Sequence, residues 1–314
     1  MANTECKCNL IIDSCCDLPA ELVCDIDGVD LIHFPYIMSD GEHADDMFQS
    51  IPAHNFYELM RKGEAPSTAQ VPVTVFQEHF TQAIESGVPT VYLSFTSGLS
   101  GSFDTATLVR NQLVEEHPGA ELYVVDTHLA SIAEGLFVYE AMRQRRHGLT
   151  AQELVEWAEE ARFYVNEMFM VDDLNSLKRG GRIPSGVAFA GTKLDVKPIL
   201  DINLDGKLSL VGVARGRKKG IRQLAEFYKK RTVDGDFAHD QKIIVGCSDC
   251  QGDANRLKDE IVKINDAAMF LDASIGPVIG SHVGPGMLAI SFWGPDSRDD
   301  LSVADRIAKK VRQK

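Results

Sequence analysis

Thr90-Val91-Tyr92-Leu93-Ser94-Phe95-Thr96-Ser97-Gly98-Leu99-Ser100-Gly101-Ser102 carries the reading of this chain. Five of its first six residues are β-branched, aromatic or apolar, the composition of a buried strand. In its last seven, Ser97, Ser100 and Ser102 alternate with Gly98 and Gly101, and an amphipathic helical pattern, Ser102–Glu116, follows at once. A strand that empties into a small polar loop and then a helix is the repeating unit of a parallel sheet covered by helices. The pattern recurs on either side. Asn9-Leu10-Ile11-Ile12 runs into Asp13-Ser14-Cys15-Cys16-Asp17, and Leu122-Tyr123-Val124-Val125 runs into Asp126-Thr127. Residues 30–37 read as a further strand, with Pro35 marking an edge or a bulge. Helical spacing fills 73–86 and 131–147, and Thr150-Ala151-Gln152-Glu153 is a capping box that opens another helix.

Beyond Tyr164 the rhythm changes. Short β-rich runs at 168–171, 196–202, 207–214, 242–245 and 288–293 alternate with only two amphipathic helices, at 220–231 and 253–264. Asp205-Gly206 between two of the runs is a hairpin turn. The expectation is an α/β protein of two domains. Residues 1–166 form a Rossmann-like parallel-sheet domain, and 167–296 form an α+β domain with a mostly antiparallel sheet. Residues 297–314 add a C-terminal helical extension.

Composition narrows the function. Of 314 residues 44% are hydrophobic and 25% charged, enough apolar surface for ordinary globular cores. The formal charge of −14 repels nucleic acid and anionic membranes. No apolar run approaches the ~20 residues of a membrane span, and the N-terminus has no long apolar signal region, so a cytoplasmic address is expected. Seven cysteines, an odd number, suit reduced thiols. Cys247-Ser248-Asp249-Cys250 has redox or zinc spacing, but nothing nearby supplies further ligands; the pair reads as small residues closing a buried strand, and no metal is expected.

Several segments could carry chemistry. Ligands of open α/β sheets sit beyond the carboxyl ends of the strands, which is where Ser97, Ser100 and Gly101 fall. Hydroxyls, glycine backbone and a helix start together suit a phosphate or a carboxylate. The loop is neither a Walker A sequence nor a nucleophile elbow. A capped turn with no ligand fits the spacing equally well. Pro66-Ser67-Thr68-Ala69-Gln70 alone reads as a helix lead-in. Lys178-Arg179-Gly180-Gly181-Arg182 and Arg215-Gly216-Arg217-Lys218-Lys219 are basic clusters in an acidic chain, suited to a phosphate or an acidic partner. His282 lies among glycines, immediately before a strand.

Taken in order, these motifs resemble the DegV family of bacterial fatty-acid-binding proteins, the carrier subunits of fatty acid kinase. The resemblance runs from about Asn9 to Gly294. It rests on Ile12-Asp13-Ser14, Pro66 to Gln70, Ser97 to Ser102, Asp126-Thr127 with Gly135, Leu177 to Ile183, Lys197-Pro198, Gly206-Lys207-Leu208 with Arg215, and His282-Val283-Gly284-Pro285-Gly286. It implies a non-catalytic subunit that buries a long-chain fatty acid between two domains and feeds phospholipid metabolism. Thr68 and Ser100 would hold the carboxylate, with Ser97, Gly101 and His282 beside it. Arg179, Arg182 and Arg215 would face the kinase subunit or the transferred phosphoryl group. No cofactor is implied beyond the fatty acid; transient membrane contact is compatible. Two rivals remain open: an acyl hydrolase using Ser100 and His282 with Asp13 or Asp126, and a nucleotide- or sugar-phosphate-binding module using the same Ser/Gly loop.

Overall fold

The computed structural model describes residues 6–183, 195–232 and 242–300. The chain first lays down β1 (Asn9–Asp13) and β2 (Val29–Ile32), then a ribbon of β3 (Pro35–Met38) and β4 (Gly41–Ala44). Helix α1 (Ala53–Arg61) and the two-residue β5 (Ser67–Thr68) come next. Then α2 (Val73–Glu85), β6 (Thr90–Ser94), α3 (Ser102–Glu116) and β7 (Leu122–Asp126) alternate. Helices α4 (Ser131–Arg146) and α5 (Ala151–Ala161) lead to β8 (Val165–Met170) and the short α6 (Asn175–Arg179). The remainder is β9 (Val196–Ile202), β10 (Leu208–Arg215), α7 (Arg217–Arg231), β11 (Lys242–Cys247), α8 (Gln251–Val262), β12 (Met269–Ser274), α9 (Pro277–Val283) and β13 (Leu288–Trp293).

Three sheets result. One is wholly parallel in the order β2-β1-β6-β7. The second has six strands, β10-β9-β8-β13-β11-β12, antiparallel except for the β11–β12 pair. The third is the small antiparallel set β4-β3-β5. The fold is therefore mixed α/β with a parallel sheet and a separate, mostly antiparallel one. The expected strand over 30–37 divides after Ile32, and its second half joins the small sheet. Pro35 has no N–H to give a ladder, so it opens β3 rather than continuing β2.

Helix α4 joins the two large sheets. It packs on the 14–16 turn after β1 and also on β8, β11 and β13. Its residues are buried on nearly every side, from Ser131 through Val138 without a break. One core cluster accordingly holds Leu10 and Leu93 of the first sheet, Ile132 and Phe137 of α4, and Phe169 and Ala289 of the second. Two close approaches make this possible. A Cβ on Gly135 would lie 2.4 Å from the Cys16 carbonyl oxygen, and one on Gly246 would lie 2.6 Å from Ile132 Cγ2. The capping box at Thr150 forms as its spacing predicts, with both reciprocal hydrogen bonds. Residues 297–300 form a 3-10 turn, in which Arg298 pairs with Glu160; the expected helix beyond it lies outside the described residues.

Candidate functional site

The Ser/Gly loop between β6 and α3 is held from two directions. A Cβ on Gly101 would lie 1.8 Å from Gln70 Nε2, so this glycine lets the segment after β5 lie against the loop. The Val71 N–H donates to Ser102 Oγ at 3.3 Å, fastening the same two segments. From the second sheet, the tip of the β9–β10 hairpin arrives. Thr96 Oγ1 donates to the Gly206 carbonyl at 3.0 Å, and a Cβ on Gly98 would lie 2.3 Å from that same oxygen. Gly206 has φ +71°, a turn conformation that side chains resist.

Between these elements lies a narrow cavity of about 60 Å³. Its walls are mostly apolar: Phe34, Phe95 and Leu99 from the first half, and Phe169, Ile202 and Leu208 from the second. Thr68, Ser100, Arg182 and His282 also line it. Thr68 Oγ1 and His282 Nε2 stand 2.8 Å apart. Ser100 Oγ lies 3.0 Å from Ser102 Oγ and accepts the Ser102 N–H at 3.2 Å. Arg182 donates through Nε to the Leu99 carbonyl at 3.1 Å and through Nη1 to the Gly180 carbonyl at 2.6 Å. These contacts bring the four polar side chains together in the lining of a mostly apolar slot.

His282 is the most constrained of them. It stands on α9 and not in a loop before a strand, as its glycine-rich flanks suggest; Gly284 through Met287 make the connection to β13. A Cβ on Gly180 would sit 2.1 Å from His282 Nδ1, so the Lys178-Arg179-Gly180 turn abuts the ring. Nδ1 is buried with no partner among the described residues. Burial, with the Arg182 and Arg179 guanidiniums nearby, pushes the imidazole down to about 4. The ring is neutral at neutral pH. A buried lone pair is cheaper to leave bare than a buried N–H, which places the proton on Nε2, donating to Thr68 Oγ1. Thr68 then has its own O–H free to donate into the cavity.

The other expected residues take different positions. Ser97 is outside the cavity lining, its N–H donating to Asp126 Oδ1 at 3.2 Å. Gly101 serves the contact with Gln70. Arg179 is exposed at the end of α6, while Arg182 belongs to the cavity lining. Arg215 is exposed at the end of β10, in register with Val196 and away from the cavity lining.

A Ser-His-Asp relay is not assembled. His282 bonds Thr68 and not Ser100, and among the described residues no carboxylate reaches its Nδ1. Asp13 accepts from Tyr92 Oη, the Phe95 N–H and the Cys15 N–H, so it ties β1 to β6. Asp126 pairs with His128. Cys247 ends β11, and Cys250 Sγ donates to the Met287 carbonyl at 3.2 Å. Among the described residues His54, Glu58 and Asp249 gather as metal ligands would, but Arg61 Nη1 already sits on both carboxylates.

Glu167 escaped the reading of the sequence, and Gly180 entered it only as part of a basic cluster. Gly180 is set by the ring it touches, across a hundred residues. Glu167 lines the cavity because β8 begins at Val165 rather than at Met168. A charged residue inside an otherwise β-rich run was the available signal.

Comparison with known proteins agrees with this architecture. A family model described as "Uncharacterised protein, DegV family" matches residues 7–294. A DegV domain-containing protein of Clostridium perfringens is 36% identical over 285 residues, 91% of this chain and 97% of the relative. The structure of a DegV family protein from Thermus thermophilus, described as fatty-acid binding, superimposes with a TM-score of 0.78 at 27% identity, covering 92% of this chain and 100% of that one. A fatty-acid-binding DegV family protein from Streptococcus agalactiae gives a TM-score of 0.78 at 27% identity, over 92% and 99% of the two chains. By sequence and by fold, over nearly its whole length, the chain belongs to the DegV family.

Proposed function

We propose that this protein binds a long-chain fatty acid in the cavity between its two large sheets and presents the carboxylate to a separate kinase subunit for conversion to an acyl phosphate. The observation that carries the reading is a mostly apolar cavity whose lining brings together Thr68, Ser100, His282 and Arg182. The acyl chain gains ~0.8 kcal/mol for each buried CH₂. The carboxylate accepts from the Thr68 and Ser100 hydroxyls, Ser100 turning its O–H away from Ser102. Arg182 supplies positive charge without a full buried ion pair, which limits the desolvation cost. The neutral His282 holds Thr68 in its donating orientation. The two relatives described as fatty-acid binding support the same reading.

In this reading the halves 1–166 and 167–296 are the two domains that clasp the ligand. Arg179, exposed beside the head-group end, and Arg215 face the kinase subunit, and the protein works as a cytoplasmic carrier with no catalysis of its own. Extraction of the purified protein into organic solvent followed by mass spectrometry tests the binding. A stoichiometric fatty acid, depleted in Ser100→Ala, is the expected result. An empty protein that also refuses added fatty acids would overturn the proposal. The kinase step is tested separately, by acyl-phosphate formation with a fatty acid kinase catalytic subunit and ATP.

A further inference from the structure

One group in the cavity wall has no role in holding a carboxylate. Glu167 lines the apolar slot from β8, is 9% exposed, and among the described residues its Oε2 has no hydrogen-bond partner. Directly across the ladder on β13, in register with it, stands Ser291, fully buried, with its Oγ also without a partner among the described residues. Strand alternation turns Glu167 and Phe169 to the same face, and Phe169 lines the same cavity. Two unmet polar groups thus stand side by side on the face that packs against α4 and the cavity. Burial raises the Glu167 carboxyl well above the usual range, with Asp201 and Asp17 adding to the shift, which favours the protonated form with its O–H donor beside an acceptor oxygen.

Leaving such a group unmet costs ~1–3 kcal/mol, and a wall built for hydrocarbon alone has no use for it. A ligand hydroxyl satisfies both halves of a protonated carboxyl, donating to one oxygen and accepting from the other. We propose that the preferred occupant of the cavity is an oxygenated long-chain fatty acid, with a hydroxyl part-way along its chain that hydrogen-bonds Glu167. This rests on the fatty-acid reading above and adds the substrate class. Sites that hydrogen-bond a ligand hydroxyl discriminate strongly against the analogue lacking it, because the buried partner is then left bare.

The test compares stearic acid with hydroxystearic acids bearing the hydroxyl at successive mid-chain carbons. Each is titrated by displacement of a fluorescent fatty acid from the wild type, Glu167→Leu and Glu167→Gln. The expected result is one positional isomer that binds the wild type about tenfold or more tighter than stearate does. Glu167→Leu should abolish that preference and tighten stearate, whereas Glu167→Gln, which keeps a neutral donor and acceptor, should retain it in part. Stearate binding with no isomer preferred, or a preference that survives Glu167→Leu, would overturn this inference alone. Failure of every acid to bind the wild type would overturn it together with the fatty-acid reading.

Discussion

Thr68→Val tests the head-group arrangement with the least change of shape, since valine fills the same volume and removes only the hydroxyl. In the wild type that hydroxyl lies 2.8 Å from His282 Nε2, while Nδ1 has no partner among the described residues. The variant therefore leaves a buried imidazole with neither nitrogen bonded. Stranding one buried donor costs ~1–3 kcal/mol. With an unfolding entropy of ~2.1 cal/mol/K per residue over this chain, each kcal/mol corresponds to about 1.5 °C, so the ligand-free protein should melt about 2–5 °C lower. Binding should suffer more. Loss of one hydrogen bond to a charged carboxylate costs ~1.5–3 kcal/mol, which raises Kd for a fatty acid about 10- to 150-fold. Calorimetry of the stripped protein and displacement titration at pH 7.5 read the two effects separately. A Kd within about twofold of the wild type would refute the assignment of Thr68 as a carboxylate donor. An unchanged Tm would refute the claim that Thr68 is the partner of His282.

Other outcomes follow from the same geometry. Gly180→Ala places a methyl group 2.1 Å from His282 Nδ1, so ring or turn must move; chemical denaturation should show a loss of ~1–3 kcal/mol, and unchanged stability would mean the turn yields freely. The ligand-free protein should lose stability as pH rises from about 5 to 8. Burial raises Asp13 and Asp45 to about 7, so the native state holds protons that the unfolded chain has released; their contribution, on the order of 4 kcal/mol each, is complete below the unfolded value near 4 and is lost as pH passes 7. His282 acts oppositely, with a folded value of about 4, but only below about pH 6.5. Asp45→Asn keeps an Oδ1 to accept the Met47 N–H and cannot ionise, so it should flatten the slope. Stability that climbs steadily from pH 5 to 8 in the wild type would refute this ordering.

Local signals read from the chain survive where one short-range force decides them. The Thr150 capping box, the Ser102–Glu116 helix and the Asp205-Gly206 turn all form where their spacing predicts. Each depends on backbone hydrogen bonds and dihedral preferences within a few residues. The DegV resemblance is likewise a property of motif order and needs no coordinates. Wherever an element depends on distant partners, its sequence alone misleads. Residues 30–37 divide between two sheets because Pro35 finds its partner in Ala44. His282 becomes helical because α9 packs beside α6, and Gly180 admits its ring.

The amino-acid sequence by itself determined the strand–loop–helix units, the change from parallel to mostly antiparallel pairing and the family. Only the tertiary structure decided that α4 is buried between two sheets and that Thr68 and His282 meet across 214 residues. It also decided that Glu167 lies in the wall of an apolar slot. Periodicity and turn chemistry are written in neighbours along the chain. Burial and hydrogen-bond satisfaction are set by whichever distant residues arrive, and no local pattern names them.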